Sequence, residues 1–96
     1  MHGDEFEWDD AKAQSNLAKH EVSFAAARRV FDDAFAFERL DTGSDDIEVR
    51  NVITGMVNGV PLTVVHTDRG ERIRIISARK ATRHEQRDYY RNKTPE

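Results

Sequence analysis

The hydrophobic period of this chain changes once, near Ala34, and that change limits what it can fold into. Before it, Phe24, Ala27, Val30 and Phe31 recur at helical spacing and make one buried stripe. After it the period is two. Phe35 and Phe37 alternate with small or polar neighbours, and Arg39 continues the series. Ile47, Val49, Asn51 and Ile53 then share one side of a long strand, with Glu48, Arg50, Val52 and Thr54 on the other. Asn58-Gly59 signals a hairpin, because a two-residue turn between right-twisted strands needs positive φ at both positions. Leu62 to Thr67 is rich in β-branched residues. Arg69-Gly70 turns the chain again, and Arg72 to Ala78 alternates as a last strand. Connections this short build a meander of antiparallel strands.

Helix signals flank the meander. Phe6-Glu7-Trp8 reads as a short first strand, and Asp9 caps a helix running to about Lys19. Lys19-His20-Glu21-Val22 is a turn. A cationic His20 suits the helix C-terminus there, and Asn16 is expected to tie the turn. Ser23 caps a second helix, which ends at Asp32-Asp33. Thr82-Arg83-His84-Glu85 is a capping box, so a last helix starts at Arg83 and runs to about Arg91. Residues 1–5 and 92–96 are expected to fray. The order predicts an α+β fold: two N-terminal helices and a C-terminal helix grouped on an antiparallel sheet, in two layers. With 96 residues there is one domain and one core, supplied with aromatics by Phe6, Trp8, Phe24, Phe31, Phe35, Phe37 and Tyr89.

Composition removes several chemistries. Without cysteine there is no disulfide, thiolate nucleophile or Cys-ligated zinc. His2, His20, His66 and His84 show no ligand spacing with carboxylates, so no metal and no cofactor is expected. The first ten residues are acidic and lack the apolar stretch of a signal peptide, and no apolar run is long enough to span a membrane. A cytoplasmic location is the expectation. Charge is unevenly spread: residues 1–48 carry thirteen acids against five bases, and residues 67–96 nine bases against five acids. That asymmetry suits a face for a polyanion or an acidic partner, although a solvated charged surface would look the same.

Two ordered blocks carry a family resemblance. The first holds Phe6-Glu7-Trp8-Asp9, Lys12-Ala13, Asn16, Lys19-His20, Val22-Ser23-Phe24, Ala27 and Val30-Phe31-Asp32-Asp33. The second holds Arg50-Asn51-Val52-Ile53-Thr54-Gly55, Val64-Val65-His66-Thr67 and the run Arg72 to Thr82, followed by Glu85 and Tyr89. Together they resemble the BrnT family of type II toxins. The resemblance implies a RelE-like fold and a ribonuclease that slows translation. It also implies a cognate BrnA-like antitoxin, which binds DNA and joins the toxin in a higher-order complex.

Metal-independent RNA cleavage uses the 2′-hydroxyl of the substrate as nucleophile. It needs a base near that hydroxyl, an acid near the leaving oxygen, and cations around the phosphate. Arginine suits the last role because its planar fork grips phosphate oxygens in pairs. Arg50, Arg74 and Arg79 are the candidate phosphate cradle, helped by the backbone amides at the start of the last helix. Arg69, Arg72 and Lys80 are candidates for guiding the RNA backbone. Arg50 and Arg74 could instead pair with acids such as Glu48. His66 and Glu48 are the candidate acid and base, each with an ordinary alternative: a packed strand histidine and a salt-bridge acid. Tyr89 either packs on the sheet or stacks a base. A catalytically inactive binding module, or a toxin directed at a protein such as a topoisomerase, would be compatible with the same fold.

Overall fold

The computed structural model describes residues 5–41 and 50–93. Strand β1 (Phe6–Glu7) leads into helix α1 (Asp10–His20) and the short helix α2 (Phe24–Ala27), which tightens into a 3-10 turn at Arg28–Asp32. Strands β2 (Phe37–Asp41), β3 (Arg50–Val57), β4 (Val60–Arg69) and β5 (Arg72–Lys80) follow, then helix α3 (Arg83–Lys93). The fold is mixed α+β, with five strands in the order β1-β5-β4-β3-β2. The expected Glu48 and the strand start at residues 47–49 lie outside the described residues, as do most of the ends expected to fray. Of those ends, 92 and 93 continue α3.

Local chemistry explains the element ends. The Asp9 carboxylate accepts from the N–H groups of Ala11 and Lys12 at 2.8 and 3.2 Å. Ser23 Oγ accepts from the Ala26 N–H at 3.0 Å. Glu21, rather than His20, takes the left-handed cap position with φ of 59° and donates its N–H to the Leu17 carbonyl. His20 is the last helical residue, where a cationic group still suits the dipole. Asn58 and Gly59 both have positive φ, 51° and 81°, as the turn between β3 and β4 demands.

Two expectations about the sheet need correction. β1 runs parallel to β5, with Phe6 opposite Ile73 and Glu7 opposite Arg74. Only the meander β2 to β5 is antiparallel. β1 fills the edge beside the last strand, and everything from α1 to β4 serves as the long crossover a parallel neighbour needs. The helices also do not share one face. Phe24, Ala27 and Val30 pack with Ile53, Val64, Ile75 and Ala78 on one face of the sheet. α3 lies on the other, where Glu85 reaches Thr63 and Arg79. Phe35, expected in the core, is 46% exposed, with Lys93 5.4 Å from its ring centre.

Asn16 does more than tie a turn. It is 7% exposed, and its Nδ2 donates to the carbonyls of Val22 (2.9 Å) and Ala78 (2.8 Å). Its Oδ1 accepts from the Ala78 N–H at 3.1 Å. The side-chain amide thus satisfies the outer edge of β5 just past the short β1, where no strand is available. Asn16→Ala leaves those groups unsatisfied and is expected to cost about 2–3 kcal/mol in urea unfolding. Gly55 lets β3 pass close under the 3-10 turn. A Cβ there would stand 2.9 Å from Val30 Cγ1 and 3.2 Å from the Val30 carbonyl oxygen. Gly55→Ala is expected to destabilise by about 1–3 kcal/mol through overpacking, measured the same way.

Candidate nucleic-acid interface

Arginines reach one face of the sheet because β5 is irregular. Val65 pairs with Ser77 but His66 pairs with Ile75, so Ile76 is an extra residue in β5. In a regular strand, even-numbered Arg72 and Arg74 would face away from odd-numbered Arg79. The bulge turns the register by one residue and sets all three on the same face. Thr67 lies opposite Arg74, and Arg69 opposite Arg72. Asn51 pairs with His66, so the register carried one residue further sets Arg50 across from Thr67. Arg39, opposite Val52, belongs to the same face. Arg50, Arg74 and Arg79 therefore come from different strands or strand positions but share one surface. Lys80 does not share it: it pairs with Leu62 and alternates to the core side, where it is exposed.

Among the described residues, Glu7 and Glu85 are tied to these arginines. At the β1 edge, Arg74 Nη1 donates to Glu7 Oε2 at 2.9 Å, both side chains being about a quarter exposed. At the α3 end, Glu85 is 4% exposed. Its Oε1 accepts from Arg79 Nη1 (2.7 Å), the Thr82 N–H (2.8 Å) and Thr63 Oγ1 (2.9 Å). Its Oε2 accepts from Arg79 Nη2 (2.8 Å) and Arg39 Nη2 (3.1 Å). Burial pushes the Glu85 carboxyl up, but the bonds from Arg79, Thr82 and Thr63, with the Arg79 charge, outweigh it and hold the group far below the usual range. The bonds to Glu85, with its charge, push the Arg79 guanidinium up against the effect of burial. The anion expected at the start of α3 is thus the chain's own Glu85, completing the capping box.

His66 stands elsewhere. It alternates with Val64 onto the core face, 3% exposed, edge-on to Phe31 at 4.9 Å. Its Nε2 is 3.3 Å from Glu38 Oε1. Burial pushes its pKa down, against the pull of Glu38 and Asp68. The sheet itself separates His66 from the arginines. Because the folded chain holds His66 neutral more strongly than the unfolded chain does, acid favours the unfolded state. Stability attributable to His66 is expected to be present above about pH 6.5 and to fall below it, a dependence that His66→Phe removes in pH-dependent urea melts.

Tyr89 is core, 1% exposed, and its hydroxyl donates to Asp33 Oδ2 at 2.6 Å. Burial, with that acid beside it, pushes its pKa up to about 12. Asp33 also accepts from the N–H groups of Met56 and Phe35, joining the end of the 3-10 turn to β3 and α3. Sequence reading missed Glu7, Arg39 and the bonding role of Glu85. Arg39 was signalled by its two-residue step from Phe37, and Glu85 by the capping box. Glu7 had no signal beyond its place in the first family block.

Among the described residues no helix is long and apolar enough to cross a membrane, and no three His, Asp or Glu side chains cluster where they could hold a metal ion. The family model described as the ribonuclease toxin BrnT of type II toxin–antitoxin systems matches residues 8–85. The chain belongs to the BrnT toxin family. At the family level its activity is that of a ribonuclease, and its partner is an antitoxin. A search of curated proteins finds no match. The BrnT match spans both the α1–α2 layer and the arginine face, ending at Glu85.

Proposed function

We propose that this BrnT-family chain is a single-domain, RelE-like, metal-independent ribonuclease of the cytoplasm. In this reading it slows translation by cutting RNA. A DNA-binding, BrnA-like antitoxin silences it by covering the arginine face, in a higher-order complex. One observation supports the reading above others: arginines from β2, β3, β4 and β5 occupy one face, kept in register by the bulge at Ile76.

The chemistry follows from that surface. Arg50 and Arg74 flank Thr67 and are suited to hold a scissile phosphate, neutralising charge as it builds on the non-bridging oxygens. Arg69 and Arg72, at the exposed hairpin end, guide the flanking backbone. Arg79 is held by Glu85, so it contributes a fixed positive edge beside Ser77 and Val65 rather than a mobile clamp. His66 remains a core residue in this reading. An antitoxin with acidic side chains would neutralise the same arginines and exclude RNA by the same act.

Expression of the chain alone, then with its neighbouring gene, tests the assignment together with purified protein and naked RNA in chelator. A ribonuclease toxin arrests growth alone, is rescued by the neighbour and cleaves RNA without divalent metal. An inactive binding module does neither. A toxin with a protein target arrests growth while naked RNA stays intact.

A further inference from the structure

Among the described residues, Glu7 and Glu85 are bonded to the arginine face, and they differ in enclosure. Glu85 is enclosed, with five donors on its two oxygens. Glu7 sits at the open β1 edge, about a quarter exposed, directly beside Arg74 in the parallel register. In register across the sheet stand Glu7, Arg74, Thr67, Arg50 and, on β2, Asp41. The charged residues around Glu7 are Arg74 opposite, Arg72 two residues along β5 and Glu5 two residues back on its own segment.

We propose that Glu7 is the general base that activates the 2′-hydroxyl, an assignment that rests on the ribonuclease reading of the arginine face. The 2′-hydroxyl proton passes to a Glu7 carboxylate oxygen. The 2′-oxygen bonds to phosphorus, the bond from phosphorus to the 5′-oxygen breaks, and that oxygen takes a proton from water, whose hydroxide then takes the proton from Glu7 and restores the carboxylate. The products are a 2′,3′-cyclic phosphate end and a 5′-hydroxyl end, with no change of oxidation state. The Glu7–Arg74 pair gives the step its driving force. Negative charge leaves the carboxylate as it is protonated and builds on the phosphate oxygens, so the Arg74 guanidinium trades one anionic partner for the other within one site. An interaction that strengthens as the reaction advances lowers the barrier rather than merely tightening binding.

Glu7→Gln retains an oxygen for Arg74 and removes the base. The test compares wild type, Glu7→Gln and Glu7→Asp on a short RNA, with binding read on the same strand carrying one 2′-deoxy sugar at the cleavage position. A base role predicts that Glu7→Gln lowers kcat by about 10²–10⁴-fold and abolishes the acid-side limb of the pH–rate profile, with binding of the deoxy strand changed less than about threefold. Glu7→Asp, with a shorter carboxylate, should give an intermediate rate with that limb preserved. It decides the matter should the glutamine variant not fold. Wild-type rates in the variants overturn the assignment while leaving the ribonuclease reading intact. So does weakened binding with kcat and pH profile unchanged, the mark of a residue that only orients Arg74. Absence of cleavage by the wild type removes the reading underneath.

Discussion

Replacing Glu85 with alanine is expected to cost about 2–4 kcal/mol of stability, below the full range for a buried ion pair because the arginines it leaves behind are 36% and 42% exposed. The buried carboxylate holds Arg79 through both terminal nitrogens and also engages Arg39, Thr63 and the start of α3. Removing it leaves the Thr63 hydroxyl without its acidic acceptor and strands the Arg79 charge against α3. Replacing Arg79 and Glu85 together by Met and Leu should cost less than the single change, because Arg79 is then not left unpaired and Arg39, 42% exposed, can be solvated. The pH sign follows from the depressed pKa. The unfolded chain binds a proton near the ordinary 4.5, and the folded chain only at far lower pH. The stabilisation is therefore complete above about pH 4.5 and is lost progressively as pH falls below it. Urea melts from pH 7 downward should show this slope in wild type and lose most of it in Glu85→Gln. A Glu85→Ala cost under about 1 kcal/mol would mean the network holds nothing together.

The second large effect concerns activity. Arg50→Ala and Arg74→Ala are each expected to lower RNA cleavage about 10²–10³-fold, the scale for deleting one donor to a charged transition state. Growth arrest should disappear while urea stability changes by under about 1 kcal/mol for Arg74, whose pair with Glu7 is partly exposed. Each lost phosphate contact should also flatten the salt dependence of binding to single-stranded RNA by about 0.7 in log–log slope. Arg79→Ala differs in kind, because it also unpairs buried Glu85. Its loss of activity should come with a loss of stability. Full toxicity in both Arg50 and Arg74 variants would remove the phosphate site.

Much of the fold was legible because its signals are local. Alternation marked the strands, Asn58-Gly59 the hairpin, and Thr82 with Glu85 the last helix. What could not be read was where elements meet. Nothing in Phe6-Glu7 says that it joins the far edge of the sheet beside β5, since that pairing is decided by the whole crossover. Nothing local places α3 on the face opposite α1. The site was harder still. Strict alternation along β5 puts Arg74 and Arg79 on opposite faces, and only the extra residue at Ile76 reconciles them. A one-residue bulge leaves no mark in a run of isoleucine and arginine. The same parity separates His66 from the arginines, although the two lie on adjacent paired strands. For Arg79, sequence shows the charge but not the partner, Glu85, six residues on.

Mapping RNA onto the labelled protein tests the arginine face most directly. An uncleavable 2′-deoxy-substituted strand is titrated into the free toxin while backbone amide and arginine side-chain NMR signals are followed. Binding through this face predicts shifts at Arg39, Arg50, Val65, Thr67, Arg72, Arg74 and Ser77, weakening with salt. Shifts confined to α1, α2 and the 3-10 turn, with those residues unmoved, would contradict it.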